Sequence, residues 1–113
     1  MIVEASYRHL EQFAEEMESF KAEIKPLLKS EVLYEGRYDD GKKIGKGDFL
    51  YENGDFYRGN FDRDMKDGFG ILISFSKNFI YKGEFKQDQI KGQGICIHSN
   101  KMIIDGYYSG VRN

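Results

Sequence analysis

The sequence has little cysteine or proline, and it contains no tryptophan. Its single cysteine, Cys96, cannot form a disulfide within the chain, and no cleavable signal or long apolar run occurs in the 113 residues. These absences predict a reducing, cytoplasmic setting. The formal net charge is only -2 and no basic tract is present, so nucleic-acid binding is not expected.

Glycine and aromatic residues are abundant instead, with thirteen glycines, eight tyrosines and nine phenylalanines. A chain of this length fits one small domain. Its hydrophobic period changes along the chain, which predicts an N-terminal amphipathic helix with its linker over residues 1–30 and a β-sheet over residues 31–113.

The helix is predicted to run from Glu4 to Lys25, because apolar residues recur there at spacings of three and four. Pro26 lacks a backbone N–H and is expected to end or kink the helix near Lys25. The apolar residues form one helix seam: Leu10, Phe13, Met17, Phe20 and Ile24.

After Ser30 the period changes to two, and short aromatic runs separated by Gly, Asn and Asp predict about seven strands joined by tight turns. A Tyr-x-Gly-x-aromatic motif occurs at 34–38, 57–61 and 81–85, with a weaker copy at 104–108. The offsets are 23, 24 and 23 residues, and a Gly-x-Gly follows nine residues after each of the first three motif glycines. Such a period indicates stacked supersecondary units.

Within each unit, glycines and aromatic residues alternate with a spacing that places them on the same strand face. An aromatic ring over a strand glycine covers backbone that would otherwise be unprotected. We therefore predict that rings lie over the Gly-x-Gly glycines. The predicted groove is lined by eight residues: Tyr34, Tyr38, Phe49, Tyr51, Tyr57, Phe61, Tyr81 and Phe85.

The combination of Tyr-x-Gly-x-aromatic and Gly-x-Gly at this period resembles the MORN repeat over about residues 33–109, with three full repeats and a partial fourth. The resemblance implies a mainly β fold, a single-layer antiparallel β-meander whose aromatic groove often accepts a helix. It also implies a scaffold or adaptor without catalytic activity, found in cytoskeletal, ciliary or membrane-associated assemblies.

The predicted helix could pack on either of two surfaces, its own sheet or another protein. At 1.5 Å per residue it is about 33 Å long, close to the roughly 29 Å that seven strands span, so it can cross its own sheet. Ile24 would then lie near the first unit. The alternative is that the seam docks on another protein.

The motifs that suggest chemistry are weak. Gly41 to Asp48 lacks the spacing and the hydroxyl of a Walker phosphate loop, and Asp62 to Gly68 lacks the ligands of a calcium loop. Cys96 and His98 share a strand face but have no orienting partner. No enzyme activity, cofactor or metal is therefore expected.

Three lysines in the first unit could touch anionic lipid, although nearby aspartates offset them. They are Lys42, Lys43 and Lys46. The predicted function is a protein–protein interaction module that binds a partner, which we expect to be helical, through the aromatic groove or an exposed apolar sheet face. The alternatives are a small subunit of a larger assembly and a peripheral lipid-binding module.

Overall fold

A computed structural model describes residues 2–4, 7–28, 33–98 and 101–112, with side chains described for residues 11–26 and 33–98. One helix and eight strands are present in these residues: β1 (Ile2–Glu4), α1 (Tyr7–Leu28), β2 (Tyr34–Asp39), β3 (Lys42–Leu50), β4 (Phe56–Asp62), β5 (Met65–Ser74), β6 (Phe79–Lys86), β7 (Gln89–His98) and β8 (Lys101–Arg112). The strands form one antiparallel sheet in the order β1-β8-β7-β6-β5-β4-β3-β2. The predicted fold class, a single-layer meander with an N-terminal helix, is confirmed.

The beginning of the chain differs from the prediction. Ile2 pairs with Ile103 and Glu4 with Lys101, so Glu4 belongs to a short strand and the helix starts at Tyr7. This pairing joins residues about a hundred positions apart, which a local period cannot reveal. As a result, α1 connects the two opposite edges of the sheet.

The helix also extends past Pro26 and ends at Leu28. A proline has a φ angle close to the helical value, so it can occupy a helix when one hydrogen bond is given up. Pro26 was predicted to end or kink the helix near Lys25, and the end itself lies three residues further on, at Leu28.

The hairpins that connect β2 to β3, β4 to β5 and β6 to β7 have two-residue turns. Both central residues have positive φ in each turn, namely Asp40 and Gly41, Arg63 and Asp64, Gln87 and Asp88. This backbone geometry suits the right-handed twist of the flanking strands. The segments 41–48 and 62–68, in which the sequence showed only weak phosphate-loop and calcium-loop signals, therefore form turns and strands.

The first glycine of each Gly-x-Gly also has positive φ, at +67°, +100° and +95° for Gly45, Gly68 and Gly92. Glycine adopts this conformation without steric cost. No side chain lies near Gly45, and the neighbours of Gly68 and Gly92 are Asn60 and Glu84, so the expectation that rings cover both glycines is wrong for the first glycine of each motif. The second glycine of each motif is the one that a ring covers.

The two faces of the sheet carry different clusters. The face with Tyr34, Tyr57 and Tyr81 is called the ring face here, and the opposite face, on which α1 packs, is called the helix face. On the helix face, a cross-strand row of apolar residues lies beneath α1: Leu50, Phe56, Ile73, Ile80 and Ile97.

Candidate functional site

The ring face holds a continuous ladder of aromatic side chains. Tyr57 meets Phe61 of its own unit at a centroid distance of 5.0 Å and Phe85 of the next unit at 5.2 Å, both in edge-to-face geometry. Tyr34 likewise meets Tyr38 and Phe61, at 4.9 and 5.5 Å. Edge-to-face contacts of this kind stabilise aromatic pairs beyond their buried area. The ladder therefore links each repeat to its neighbour.

Glycines provide the space in which the tyrosine rings lie. Register places Gly47, Gly59, Gly70, Gly83, Gly94 and Gly106 opposite one another in a single row across the sheet. A Cβ on Gly47, Gly70 or Gly94 would overlap a tyrosine ring. The predicted cover of these glycines by rings is confirmed.

Each tyrosine hydroxyl then donates to the carbonyl three residues further along. Tyr34 donates to Arg37, Tyr57 to Asn60 and Tyr81 to Glu84, at 2.8, 2.8 and 2.9 Å. Burial raises the pKa of the Tyr57 hydroxyl, so it remains a donor. These bonds explain why each unit uses tyrosine rather than phenylalanine at this position.

Most of the predicted groove residues are buried within the protein itself. Tyr34, Tyr57, Phe61, Tyr81 and Phe85 belong to the core of the ring face, and Tyr57 has no exposed surface. Phe49 and Tyr51 are partly buried, whereas Tyr38 is 61% exposed. Among the eight predicted groove residues, only these last three offer surface to a partner, and partner binding there stays a prediction.

Two lysines lie against the rings. Lys43 Nζ is 4.5 Å from the centroid of Phe49, and Lys66 Nζ is 4.6 Å from that of Tyr51, whose hydroxyl accepts its hydrogen bond at 3.2 Å. Attraction between an ammonium and an aromatic face favours this arrangement. Lys43 and Lys66 thus fill space on the ring face that a partner would otherwise occupy.

The same lysines connect consecutive units through aspartates in the hairpin turns. Asp64 accepts from the Lys43 backbone N–H at 2.8 Å, and Asp88 accepts from that of Lys66 at 2.7 Å. The ammonium Nζ atoms of Lys43 and Lys66 also lie 3.2 and 3.5 Å from these same carboxylates. Gly41 occupies the matching position in the first unit. Side-chain acceptors at these turns therefore join unit two to unit one and unit three to unit two.

The helix packs on its own sheet, as the matched lengths indicate. Phe13, Met17 and Ile24 are buried in the cluster of the helix face, and Phe20 packs against it from the edge. The side chain of Leu10, the remaining predicted seam residue, lies outside the described side chains. A seam used in this way is not free to bind another protein.

Two ion pairs fix the direction of α1 across the sheet. Glu16 Oε2 is 2.9 Å from Lys82 Nζ on β6, and Glu23 Oε2 is 2.6 Å from Arg58 Nη2 on β4. Arg58 also donates to both oxygens of Asp48, at 3.0 and 3.1 Å. These hydrogen bonds to Asp48 and Glu23 raise the pKa of the Arg58 guanidinium. The C-terminal half of α1 lies toward the first units, as predicted.

Beside α1, part of the helix face is left uncovered. Phe69 projects from β5 with 64% of its surface exposed, and Ile95 on β7 is 38% exposed. Ile71 lies between Phe69 and the cluster under α1. We call this region the Phe69 patch and define it by six residues: Lys46, Phe69, Ile71, Lys86, Lys91 and Ile95.

The Phe69 ring separates two shallow hollows. The first is about 370 Å³ and is bounded by Lys46, Asn60, Phe69 and Ile71 among others. The second is about 360 Å³ and is bounded by Phe69, Glu84, Lys86 and Lys91 among others. A projecting aromatic ring with a hollow on either side provides shape for binding a partner.

Phe69 was not among the predicted site residues, although the sequence carries a signal for it. The central residue of Gly-x-Gly is Lys46 in the first unit, Phe69 in the second and Gln93 in the third. The other units have polar residues at this position, so the repeat fold does not need an apolar residue there, and a large exposed one suggests a binding surface. The signal appears only when the units are aligned and the strand face is known.

The thiol–imidazole pair noted in the sequence, Cys96 and His98, lies on β7. Cys96 Sγ lies 3.5 Å from His98 Nε2, but burial raises the pKa of the thiol to about 11, which disfavours a nucleophilic thiolate. Within the described residues, no group of three or more His, Cys, Asp and Glu side chains could hold a metal ion. No helix of that part of the chain is long and apolar enough to cross a membrane.

Comparison with known proteins agrees with the repeat units. Three consecutive matches to the MORN repeat cover residues 34–56, 57–78 and 81–102, which is more than half of the chain. No curated protein matches the sequence. Each matched segment begins with a ring-face tyrosine, namely Tyr34, Tyr57 or Tyr81, and contains the hairpin that follows it.

Proposed function

Because the chain belongs to the MORN-repeat family, whose repeats occur in protein-binding and membrane-binding modules, we propose that it is a non-catalytic adaptor that binds a partner protein through the Phe69 patch. The observation that carries the proposal is the 64% exposure of Phe69 on a sheet face whose other half is covered by α1. Exposed aromatic side chains with adjoining hollows are frequent anchors of protein interfaces.

The ring face supports this proposal less well. Its ladder residues are already packed against one another, and Lys43 and Lys66 lie over them. A partner would gain little from rings that are buried before it arrives, since the hydrophobic gain scales with newly covered area. Tyr38, Phe49 and Tyr51 remain the basis of a second candidate site at the first unit.

A protein partner fits the patch better than a membrane surface does. Lys46, Lys86 and Lys91 are interspersed with Asp67 and Glu84, so the patch has no large field of one sign. Peripheral binding to anionic lipid generally requires a denser basic cluster than this.

The test uses the full chain with two matched substitutions. Phe69→Asp and Tyr38→Asp each place a carboxylate at an exposed aromatic position, on opposite faces of the sheet. A photo-reactive amino acid at Asn60, beside the first hollow, would cross-link a partner in the wild-type background. We expect Phe69→Asp to abolish the cross-linked product and Tyr38→Asp to preserve it.

The opposite pattern, with loss only in the Tyr38 variant, would place binding on the ring face and contradict the proposal. Both variants should unfold in urea at concentrations close to that of the wild type, because both side chains are mainly in solvent.

A further inference from the structure

The charges around Phe69 differ in whether they already have partners. Asp48 accepts two hydrogen bonds from Arg58, Asp67 accepts from the Gln87 N–H at 3.1 Å, and Glu84 accepts from the Gln93 N–H at 2.9 Å. Each of these three carboxylates therefore has a donor inside the protein.

The lysines of the patch do not have such partners. Lys46, Lys86 and Lys91 are all exposed, and none makes a hydrogen bond or ion pair with residues 11–26 or 33–98. The charged groups that the patch can offer to the carboxylates of a ligand are therefore these three ammonium groups, although Asp67 and Glu84 beside them keep their negative charge.

The positions of these lysines define the length of a ligand. Lys46 is on β3 and Lys91 on β7, four strand spacings apart, or about 19 Å at roughly 4.8 Å per spacing. The Phe69 ring and its two hollows lie between them on β5. A peptide that fits has apolar side chains at its centre and negative charges toward both ends.

We propose that the Phe69 patch binds an acidic amphipathic peptide segment of a partner protein, with apolar groups in the two hollows and carboxylates near Lys46, Lys86 and Lys91. The inference rests on the proposed function and specifies its partner. In a helical peptide, about 13 residues cover the roughly 19 Å between the lysines at 1.5 Å per residue.

The chain itself shows how this sheet face accepts such a segment. α1 is an acidic amphipathic helix whose Met17 is buried on the sheet while Glu16 and Glu23 pair with Lys82 and Arg58. The row under α1 and the row containing Phe69 are four residues apart along the strands, or about 13 Å. Packed helices are typically 8–10 Å apart, so a second helix has room beside the first.

A second copy of the chain is a poorer ligand for the patch. The solvent side of α1 carries Glu11, Glu15 and Glu18, which supply negative charge, but apart from Pro26 near its C-terminal end its only exposed apolar residues among 11–26 are Ala14 and Ala22. Alanine is too small to fill a hollow of about 370 Å³ beside an exposed phenylalanine.

The experiment compares two synthetic peptides of about 13 residues with the same central leucines, one flanked by glutamates and one by lysines. Binding to the full chain is measured by fluorescence anisotropy at low and high salt. We expect the glutamate peptide to bind at least about tenfold more tightly at low salt, with the difference shrinking as ionic strength rises.

Variants then locate the site. Phe69→Asp should weaken the glutamate peptide by at least about tenfold, and the double variant Lys46→Glu with Lys91→Glu should reverse the preference between the peptides. Lys77→Glu makes the same kind of charge change in an exposed turn outside the patch and should leave the preference unchanged. Circular dichroism of every variant checks that the sheet is intact.

Each other result has a distinct meaning. Equal binding of both peptides with loss in Phe69→Asp would overturn the acidic preference and leave the proposed function standing. If neither peptide binds, or if the affinity is the same for the wild type and Phe69→Asp, the Phe69 patch is not a peptide-binding site. Vesicles with about one-quarter phosphatidylserine provide a lipid arm, and Phe69-dependent binding to these vesicles without peptide binding would assign the patch to membranes.

Discussion

The ring of Tyr57 lies over Gly70 on the neighbouring strand, in the space that a side chain at Gly70 would need. The same relationship joins Tyr34 to Gly47 and Tyr81 to Gly94, so it is the element that every repeat shares. The glycine of the motif is therefore required for packing, because no other residue leaves room for the ring.

Gly70→Ala should destabilise the protein by about 1–3 kcal/mol, the usual cost of forcing an extra group into a packed core. Gly41→Asn is the matched control, because Gly41 has open space around it and a positive φ that asparagine tolerates. The control should change the free energy of unfolding by less than about 0.5 kcal/mol. Urea unfolding monitored by circular dichroism measures both, and equal stability of the two variants would contradict the packing role of Gly70.

Asp88→Ala should cost about 1–3 kcal/mol, because it removes the acceptor for the Lys66 N–H and puts alanine at a positive φ. Asp88→Asn keeps an acceptor and a residue that tolerates this conformation, so it should lose much less. If the alanine and asparagine variants unfold at the same urea concentration, the turn does not connect the second and third units.

Lys66→Ile should be nearly neutral, within about 1 kcal/mol, because apolar replacement of a buried charge removes its desolvation cost. The third unit already has Ile90, a buried residue, at the equivalent position. Burial lowers the pKa of Lys66 below 10.5, while Asp88 opposes the shift. At this position the unfolded chain binds more protons than the folded chain just below pH 10.5, so Lys66 makes stability rise with pH there, while the raised pKa of Tyr57 acts in the opposite direction. The stability of the wild type relative to Lys66→Ile should therefore increase with pH over this range, and a constant difference between the two would contradict this role of Lys66.

The backbone N–H of Lys43 and its ammonium together lower the pKa of the Asp64 carboxyl below 3.8. A carboxyl whose pKa is lowered by folding stabilises the native state above its unfolded pKa, and this stabilisation is lost as pH falls through the folded pKa. Urea midpoints measured from about pH 5 to pH 2 should thus fall more steeply for the wild type than for Asp64→Asn. Parallel pH curves for the two proteins would mean that Asp64 has no part in acid unfolding.

Met17→Ala should destabilise the protein by about 2–5 kcal/mol, because Met17 is buried between α1 and the sheet. Ser19→Ala, on the exposed side of the same helix, should stay within about 0.5 kcal/mol of the wild type. Because the chain contains no tryptophan, unfolding in urea is followed by circular dichroism. A neutral Met17→Ala variant would indicate that α1 contributes little to the stability of the sheet.

The sequence by itself determined the features that depend on local pattern. The period of 23 to 24 residues, the presence of tight turns, the tyrosines over glycines and the seam of α1 can all be read from the sequence, because turn residues mark the breaks between strands and side-chain direction repeats every 2 residues in strands and 3.6 in helices. The family followed from the same spacing, since the matched units begin at the motif tyrosines Tyr34, Tyr57 and Tyr81.

Only the tertiary structure decided where these elements meet and which side chains remain in solvent. Pairing of Ile2 with Ile103, docking of α1 on its own sheet, burial of Tyr57 and exposure of Phe69 all depend on contacts between distant parts of the chain. Phe61 and Phe69 are both strand phenylalanines, yet they have opposite exposures, because exposure is set by what packs above a residue. The predicted groove was therefore found filled, and the open surface lay on the other face.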